Sequence, residues 1–322
     1  MILAGDIGGT KADLALFDDS PRRPVHEGRY LTRDFGSPEA LVSAFLNGTP
    51  RPTRAVFGVA GTVRDNRCQT SNLPWPLDGA EVGARLGNVQ VKLINDLEAS
   101  AWGLTMLGPS DVEVLQAGVP SNGNRALIAA GTGLGEGVVA RLGDRWIPCP
   151  SEGGHADFAP RDALQDELLV WLRVRYRRVS FERVLSGPGL ADLYRFLSET
   201  GRGRADAEVA RRFDQAEDPA ALVTEAASGG TCGRARMAVE IFTDVYGAEA
   251  GNLALKVLAQ GGVFVTGGIA PRLLPFFTDG RFVAAFNDKG RLSTVARDMR
   301  IAVILDARTG LWGAATYAMT MM

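Results

Sequence analysis

Cysteine is scarce in this chain of 322 residues, and its scarcity narrows the classes of protein to which the chain can belong. The three cysteines, Cys68, Cys149 and Cys232, lie far apart in the sequence and form no CxxC pair. Such usage suits a reducing compartment, and it argues against both a disulfide framework and a zinc cluster.

An excess of basic residues is missing as well, since the formal net charge is −2 at pH 7. Binding to a phosphate backbone depends on surplus lysine and arginine, so nucleic acid is not expected as the main partner. The opening MILAGDIGG has neither a basic n-region nor a long apolar h-region, and we expect no secretory signal. The apolar stretch 252–270 contains Lys256 and four glycines, which favours a buried helix running into a buried strand over a membrane span. We expect a soluble, cytoplasmic protein with no membrane partner.

The common nucleotide-binding signatures are absent too. No GxxxxGK[ST] sequence occurs, which excludes a P-loop enzyme, and the lack of GxGxxG weakens a dinucleotide-binding interpretation. Asp34-Phe35-Gly36 has the letters of the protein-kinase magnesium motif. The two histidines, His26 and His155, do not stand in an HRD sequence, so we interpret that match as chance.

What the chain does contain is an ordinary soluble composition, with 46% hydrophobic and 22% charged residues, over a length that predicts about two domains. Apolar runs flank a glycine-threonine turn at two positions. They are Ile2 to Ile7 and Lys11 to Phe17 around Gly8-Gly9-Thr10, and Ala126 to Ala130 and Gly137 to Arg141 around residues 131–135. The shared pattern indicates an internal duplication, with one phosphate-binding hairpin in each domain.

The remaining pattern alternates strands with helices. Helical spacing dominates from Ala163 to Gln260, and a domain boundary is predicted near Gly108-Pro109, giving domains at 1–108 and 109–306. The closing segment 307–322, with a helix from Gly310, is expected to return to the first domain. The other predicted elements are strands at Ala55 to Val59, Val89 to Ile94, Gly262 to Thr266 and Met299 to Leu305, and a helix at 96–107.

The glycine turns have the chemistry of phosphate cradles. In Asp6-Ile7-Gly8-Gly9-Thr10-Lys11, the glycines let backbone N–H groups approach phosphate oxygens, and Thr10 adds a hydroxyl donor. Asp6 would repel bare phosphate, so its expected role is to hold water on a magnesium ion that bridges the phosphates. Gly131-Thr132-Gly133 can supply a similar cradle, and Gly267-Gly268 follows a predicted strand. The alternative interpretation is that each of these is only a turn.

Asn95-Asp96 stands where a predicted strand ends and a helix begins, a common position for reactive groups in an open α/β sheet. Phosphoryl transfer to a hydroxyl needs in-line positioning, charge neutralisation and a carboxylate that accepts the proton. An aspartate of ordinary pKa can do this, because the alcohol becomes acidic only late in the reaction. The alternative role for this pair is a helix N-cap.

A second polar group consists of Glu152 and His155, around a Gly-Gly turn, and of Glu182 further along the chain. With Asn95 and Asp96 these side chains suit a polyhydroxylated ligand. Carboxylates accept hydrogen bonds from vicinal hydroxyls, and amide and imidazole groups add directional contacts. A metal site is the rival interpretation of the Glu/His pair, but no third ligand lies nearby in the sequence. Glu182 alone would be interpreted as a solvated helix charge.

Taken together, these motifs resemble the bacterial glucokinases of the hexokinase–actin–heat-shock ATPase superfamily along nearly the whole chain. The matching segments are, in order, AGDIGGTKADLAL, SNLPW, INDLEASAWGL, GTGLGEG, SEGGHADFAP, ERVLSGPGL, GGVFVTGGIAPR and FNDKGR. The resemblance implies an α/β, two-domain, actin-like (ribonuclease H-like) ATPase fold, with a central interdomain cleft in which sugar and ATP meet. It also implies Mg-ATP as the phosphoryl donor, glucose as the acceptor and, often, a homodimer.

The resemblance implies roles for individual residues. Asp96 resembles the catalytic base, and no protein group is implied as a direct metal ligand, since magnesium is carried by ATP. The implied sugar-binding residues are Asn72 of SNLPW, Asn95, Asp96, Glu152, His155 and Glu182. The implied nucleotide-binding residues are Asp6, Gly8, Gly9, Thr10, Lys11, Gly131, Thr132, Gly133, Gly267 and Gly268.

The related repressor/kinase branch carries a cysteine-rich zinc motif after its GH segment, and this chain has none, which favours the plain glucokinase branch. Three alternatives stay open. The chain could be a kinase for another hexose such as mannose or glucosamine, a non-catalytic sugar sensor, or a nucleotide-driven switch. An intact Asp96 speaks against the sensor, and in the switch Glu152, His155 and Glu182 would have no ligand.

Overall fold

The computed structural model describes residues 1–69 and 73–322. The chain divides into two compact units. Unit 1 comprises residues 1–111 and 306–322, and unit 2 comprises residues 112–305.

Unit 1 is built on a mixed sheet with strand order β3-β2-β1-β4-β8. Strands β1, β4 and β8 run parallel to one another, β2 pairs antiparallel with β1, and β3 pairs antiparallel with β2. A smaller antiparallel sheet has the order β5-β6-β7. The strands are β1 Ile2–Ile7, β2 Lys11–Phe17, β3 Pro24–Leu31, β4 Arg54–Val59, β5 Val63–Arg64, β6 Arg67–Cys68, β7 Leu77–Asp78 and β8 Gln90–Asn95. The helices are α1 Pro38–Leu46, α2 Gly79–Arg85, α3 Asp96–Gly103 and α12 Thr309–Met321.

The central strand β1 is buried on both faces, as expected for a strand with neighbours on both sides and helices above and below. Leu3 and Ile7 belong to a core cluster that includes residues of α1. Ile2 and Ala4 belong to a second cluster, which includes residues of α3 and α12. Because side chains alternate along a strand, Asp6 lies on the same face as Ile2 and Ala4, at the carboxyl end of β1.

Helices α3 and α12 approach closely because both carry glycine at the contact. A Cβ atom added at Gly103 would lie 2.1 Å from the Thr309 carbonyl oxygen, and one added at Gly313 would lie 1.7 Å from the Ala99 carbonyl oxygen. Helix α12 also passes beside β1, since a Cβ added at Gly310 would lie 3.2 Å from Asp6 Oδ2. The C-terminal helix therefore completes the surroundings of Asp6.

Unit 2 contains a sheet with strand order β12-β11-β10-β13-β14-β9. The strands are β9 Val112–Gln116, β10 Arg125–Ala130, β11 Leu134–Leu142, β12 Arg145–Cys149, β13 Val263–Thr266 and β14 Ile301–Ile304. The helices are α4 Ala163–Tyr176, α5 Gly187–Glu199, α6 Ala207–Phe213, α7 Pro219–Ser228, α8 Gly233–Val257, α9 Leu274–Phe277, α10 Arg281–Asn287 and α11 Ser293–Arg297.

The predicted shared design is present in both units. In unit 1 the antiparallel hairpin β1–β2 is followed in the sheet by the parallel strands β4 and β8. In unit 2 the antiparallel hairpin β10–β11 is followed by the parallel strands β13 and β14. The antiparallel strands β3 and β12 occupy corresponding positions beside the two hairpins. Each unit therefore presents a glycine turn next to the carboxyl ends of parallel strands.

The first predicted hairpin has the predicted bounds, whereas the second differs. Strand β11 begins at Leu134, not at Gly137, because Leu134 pairs with Ala130 and Gly135 pairs with Ala129. Cross-strand pairing overrides the low strand propensity of these glycines and leaves a three-residue turn. The helix predicted at 96–107 ends at Gly103 and continues as a 3₁₀ turn over Leu104–Met106, consistent with the poor helix propensity of glycine.

The apolar stretch 252–270 is a helix end followed by a strand, as predicted, since α8 ends at Val257 and β13 begins at Val263. In the described part of the chain, we find no helix with the length and apolar character needed to cross a membrane.

Candidate functional site

The carboxyl ends of the parallel strands in unit 1 bring two acidic residues to one edge of the sheet. Asp6 lies near the end of β1, and Asp96 begins α3 directly after β8. Strands β1 and β8 flank β4 and run in the same direction, so their carboxyl ends share an edge. Gly58 of β4 leaves room for this arrangement, because a Cβ there would lie 2.8 Å from Ala99 Cβ and 3.8 Å from Asp96 Cα.

Asn95 is the N-cap of α3, so the capping alternative holds for this residue. Its Oδ1 accepts hydrogen bonds from the Leu97 backbone N at 2.9 Å and the Glu98 backbone N at 3.4 Å. Its Nδ2 donates to the Gly61 carbonyl at 3.1 Å. The first turn of α3 is thereby held in position, with Asp96 Oδ1 accepting from the Leu97 backbone N at 2.8 Å.

The two carboxyl groups have raised pKa values. Burial, followed by the charges of Asp96 and Asp13, raises the pKa of Asp6 from 3.8 to about 7, against a lowering contribution from Lys11. Asp96 reaches solvent, yet desolvation by the surrounding protein raises its pKa, while the hydrogen bond from Leu97 opposes the rise. The sequence analysis required no shifted pKa of a catalytic aspartate, and the rise at Asp96 comes from desolvation of its carboxylate. A raised pKa makes Asp96 a stronger proton acceptor.

The glycine turn of unit 1 is anchored by a residue that the sequence analysis missed. Thr32 is fully buried; its Oγ1 donates to the Gly8 carbonyl at 2.8 Å, and its backbone N donates to the Thr10 carbonyl at 3.1 Å. The Gly8 N donates to the Lys11 carbonyl at 2.9 Å, which closes the turn. Thr10 and Lys11 are exposed, so the Thr10 hydroxyl is available to a ligand.

The corresponding turn of unit 2, residues 131–133, lies next to the glycine pair Gly267-Gly268. The Gly131 N donates to the Gly133 carbonyl at 2.9 Å, and the Gly187 N at the start of α5 donates to the Gly131 carbonyl at 2.8 Å. Gly267 has φ of +90°, and a Cβ there would lie 2.3 Å from the Ala130 carbonyl oxygen. Only glycine fits this position, because the backbone is left-handed and the end of β10 is in contact.

Tyr246 of α8 supports both of these turns from behind and was also missed in the sequence. Its fully buried hydroxyl accepts from the Ala130 backbone N at 3.1 Å and lies 3.3 Å from the Ile128 carbonyl and 3.4 Å from the Thr266 carbonyl. It therefore links the ends of β10 and β13 just before Gly131 and Gly267. A tyrosine within a helical apolar pattern carries no local signal for such a role.

A cavity of about 670 Å³ opens beside the unit 2 turns, within the size range of small-molecule and cofactor sites. Thr132 and Gly268 contribute to its wall, so two of the predicted nucleotide segments face one space. The remaining wall contains apolar groups such as Pro219, the cationic groups Arg195 and Arg272, and the acidic groups Glu217 and Asp218. A cavity with apolar and cationic groups in its wall can take a base and its phosphates.

Glu152, His155 and Glu182 converge, as the sequence analysis predicted for residues of one site. His155 Nδ1 is 3.7 Å from Glu182 Oε1, and His155 Nε2 is 3.9 Å from Glu152 Oε2. Glu152 precedes the 3₁₀ turn Gly153–His155, and His155 is its last residue. The turn packs on β11, since a Cβ at Gly154 would lie 2.0 Å from the Leu134 carbonyl oxygen. The Gly-Gly pair therefore allows the turn to approach the strand.

Glu182 lies in the 3₁₀ turn Phe181–Arg183 and is partly buried, which excludes the solvated helix charge considered from sequence. Its Oε2 accepts from the Leu134 backbone N at 3.1 Å, and a Cβ at Gly133 would lie 2.5 Å from the same oxygen. For the metal-site alternative, residues 1–69 and 73–322 contain no group of three or more histidine, cysteine or acidic side chains that could hold an ion. Asn72, the remaining predicted sugar-binding residue, lies outside the described residues.

Comparison with known proteins identifies the family. The family model described as Glucokinase matches residues 3–321. A glucokinase of Synechocystis sp. is 42% identical, over 98% of this chain and 97% of that protein.

Solved structures agree. A glucokinase from an Antarctic psychrotroph has a TM-score of 0.84 at 31% identity, covering 98% of this chain and 97% of that one. A ROK family glucokinase from Streptomyces griseus, solved with glucose and AMPPNP, has a TM-score of 0.64 at 21% identity, covering 98% and 97%, and so shares the fold. The actin-like ATPase fold predicted from the sequence is confirmed, and the chain belongs to the glucokinase family.

Proposed function

We propose that the protein transfers the γ-phosphoryl group of ATP to the 6-hydroxyl of D-glucose, forming glucose 6-phosphate and ADP. Family membership supports the activity. The observation that carries it in the structure is Glu182, whose carboxylate contacts both the predicted sugar-binding cluster and the glycine turn expected to hold phosphate. A site for a sugar alone, or for a nucleotide alone, would not need this link.

Asp96 is proposed as the base. Phosphoryl transfer leaves the attacking oxygen with a proton that must be accepted as the new P–O bond forms. Asp96 sits at the first turn of α3, where Asn95 and the Leu97 backbone N hold it in one orientation. Its raised pKa lets it take the proton and release it to solvent after product leaves.

The nucleotide phosphates are proposed to bind at the predicted glycine turns, with the base in the 670 Å³ cavity of unit 2. The structural neighbour from Streptomyces griseus binds the ATP analogue AMPPNP, which supports ATP as the donor. Magnesium carried by ATP would offset the charge of the phosphates, and Asp6 would hold it through water. The Asp6 carboxyl fits that role because burial, followed by the charges of Asp96 and Asp13, disfavours its ionisation unless a cation is present.

Glucose is proposed to bind through Glu152, His155 and Glu182, with Asn95 and Asn72 as further contacts. Carboxylates can accept from two vicinal hydroxyls, and His155 can donate to or accept from a third. Asn95 already uses Oδ1 as a cap and one Nδ2 hydrogen on Gly61, so it has one amide hydrogen left for a sugar oxygen.

Several finer expectations accompany this function. We propose that the enzyme acts in the cytoplasm, at the entry of glucose into glycolysis, as a homodimer of two-domain chains. Sedimentation equilibrium would test the dimer. A kinase for mannose or glucosamine is the nearest alternative, since the geometry of Glu152 and His155 does not by itself distinguish these sugars from glucose.

The function can be tested by measuring ADP formation from Mg-ATP without sugar and then with glucose, mannose, fructose and glucosamine. The Asp96→Asn variant is measured in parallel, with Asp18→Asn as the control, because Asp18 is an exposed carboxylate of the same unit. We expect glucose-dependent turnover that Asp96→Asn lowers by about three orders of magnitude and Asp18→Asn leaves unchanged. Equal ADP formation without sugar would instead support the nucleotide switch, and glucose binding without turnover would support the sensor.

A further inference from the structure

Beneath the turn that carries Glu152 and His155 lies a buried carboxyl group that the proposed mechanism does not use. Glu136 of β11 is 1% exposed. A Cβ added at Gly153 would lie 2.2 Å from Glu136 Oε2 and 3.2 Å from Glu136 Cβ. The turn therefore rests directly on the Glu136 side chain, with no atom between them.

A second buried carboxyl group faces the first. Glu249 of α8 is fully buried and within hydrogen-bonding reach of Glu136. Glu249 has partners of its own: Lys256 Nζ donates to Oε1 at 3.1 Å, and Asn252 Nδ2 donates to Oε2 at 2.8 Å. Glu136 differs, because its buried Oε1 receives no hydrogen bond from the residues that the structure describes. A bare carboxylate would be costly in that position.

The surrounding charges favour one proton on this pair. Burial and the negative charge of Glu249 raise the pKa of Glu136 from 4.5 to about 7, and Lys256 lowers it. Lys289 is the other cation nearby; it donates to the Ala248 carbonyl and to Asn252 Oδ1, both at 2.8 Å, and burial lowers its pKa to about 8.

Burial, followed by the charge of Glu136, raises the pKa of Tyr246, which lies one helical turn from Glu249. Near neutral pH Glu136 can therefore hold a proton, and its O–H group can donate a hydrogen bond to Glu249, the partner of Lys256.

Loss of the proton from Glu136 changes the contact between this side chain and the turn Gly153–His155. Two adjacent buried carboxylates repel each other, and Glu249 is held by Lys256 and Asn252. Glu136 has no such restraint, so it is the group expected to move. The space on its other side is filled by Gly153, whose carbonyl accepts from the Ala156 N at 2.8 Å within the turn.

We propose that Glu136 is a positioning residue for glucose: the proton that it shares with Glu249 keeps the turn of Glu152 and His155 in its binding conformation, and loss of that proton weakens glucose binding. This inference rests on the sugar-binding roles proposed above for Glu152 and His155. It adds a pH-dependent support that none of the predicted site residues supplies.

The test compares wild type with Glu136→Gln from about pH 6 to about pH 9. Glucose affinity is measured by calorimetry without nucleotide, and kcat and KM for glucose are measured with saturating Mg-ATP. In the wild type we expect glucose affinity to fall about threefold to tenfold above pH 7, with a smaller change in kcat. Glutamine is neutral at every pH and can donate to Glu249, so Glu136→Gln is expected to keep the high affinity across the range.

The matched control is Glu113→Gln on β9, an exposed carboxylate of the same unit, which is expected to keep the wild-type profile. If Glu136→Gln does not fold, Glu249→Gln provides the second test, because it also leaves one neutral partner in the pair. A variant with the same pH dependence as wild type would overturn the inference. Absence of glucose binding by the wild type at every pH would instead overturn the proposed function, so the two failures are distinguishable.

Discussion

Glu182 Oε2 accepts a hydrogen bond from the backbone N of Leu134 at 3.1 Å, and this contact joins the proposed sugar-binding residues to the glycine turn of unit 2. The other oxygen, Oε1, lies 3.7 Å from His155 Nδ1. Each oxygen of one carboxylate thus faces a different part of the proposed reaction. We therefore propose that the Glu182 side chain contacts both glucose and the glycine turn that binds phosphate.

Glu182→Gln is expected to raise KM for glucose roughly tenfold, because a hydrogen bond to a neutral amide is weaker than one to a carboxylate by about 1 kcal/mol or more. The amide oxygen can still accept from the Leu134 N, so the fold is expected to remain intact. Steady-state kinetics and a thermal melt test this. The control is Glu225→Gln, an exposed glutamate of unit 2. An unchanged KM for glucose would remove Glu182 from the sugar site.

Gly133→Ala is expected to raise KM for glucose several-fold, because the new methyl group would lie 2.5 Å from Glu182 Oε2 and must displace it. Gly131→Ala is the matched control in the same turn, since a Cβ there meets nothing within 4 Å. Its KM for glucose is expected to stay at the wild-type value. If the two variants bind glucose equally well, the contact between Gly133 and Glu182 does not matter for sugar affinity.

Tyr246→Phe is expected to lower the free energy of unfolding by about 1–3 kcal/mol, because the buried Ala130 backbone N loses its acceptor. The ends of β10 and β13 also lose their link, so KM for ATP is expected to rise more than KM for glucose. Urea unfolding and kinetics measure the two effects. Tyr317→Phe serves as the control, because within the described residues the Tyr317 hydroxyl makes no hydrogen bond. A Tyr246→Phe variant with wild-type stability would contradict the proposed support.

Asp6→Asn is expected to flatten the pH dependence of stability. The native pKa of Asp6, about 7, lies above the ordinary 3.8, so the folded state binds a proton more tightly than the unfolded state between these values. The stability supplied by the protonated group is full below about pH 4 and is lost as pH rises through about 7. Asparagine stays neutral and avoids this loss.

The measurement is the melting temperature of wild type and Asp6→Asn, without magnesium, at several pH values between about 4 and 8. We expect Asp6→Asn to gain stability relative to wild type as pH rises, and Asp18→Asn to show no such gain. Parallel curves for wild type and Asp6→Asn would show that Asp6 ionises without a penalty.

The local parts of the fold could be predicted closely. The hairpin Ile2–Ile7 and Lys11–Phe17 has the predicted bounds, because a short β-rich run on each side of Gly8-Gly9-Thr10 determines both strands and their turn. The second hairpin was predicted with a longer turn, since the glycine at 135 looks like a loop residue until it pairs with Ala129 on the neighbouring strand. Strand pairing depends on contacts with the neighbouring strand, so the spacing of apolar residues within one segment does not predict it.

Among the site residues, the motifs led us to expect Glu152, His155 and Glu182 to converge, but they did not show the surroundings of each side chain. Asn95 was considered both as a sugar contact and as a helix N-cap, and in the structure its Oδ1 caps α3 while its Nδ2 donates to the Gly61 carbonyl. Desolvation raises the pKa of Asp96. The contact with Gly61 and the desolvation of Asp96 depend on surrounding atoms that a motif does not record.

The sequence by itself determined the family, the duplicated glycine hairpins and the set of polar residues available for catalysis, because these depend on residue type and local spacing. Only the tertiary structure decided which groups support them. Thr32 under the first turn, Tyr246 behind the second, and the Glu136–Glu249 pair beneath Gly153 are all buried, and their partners lie on other elements. The physical reason is that hydrogen-bond satisfaction and desolvation are set by the atoms surrounding a group, and those atoms come together only when the chain folds.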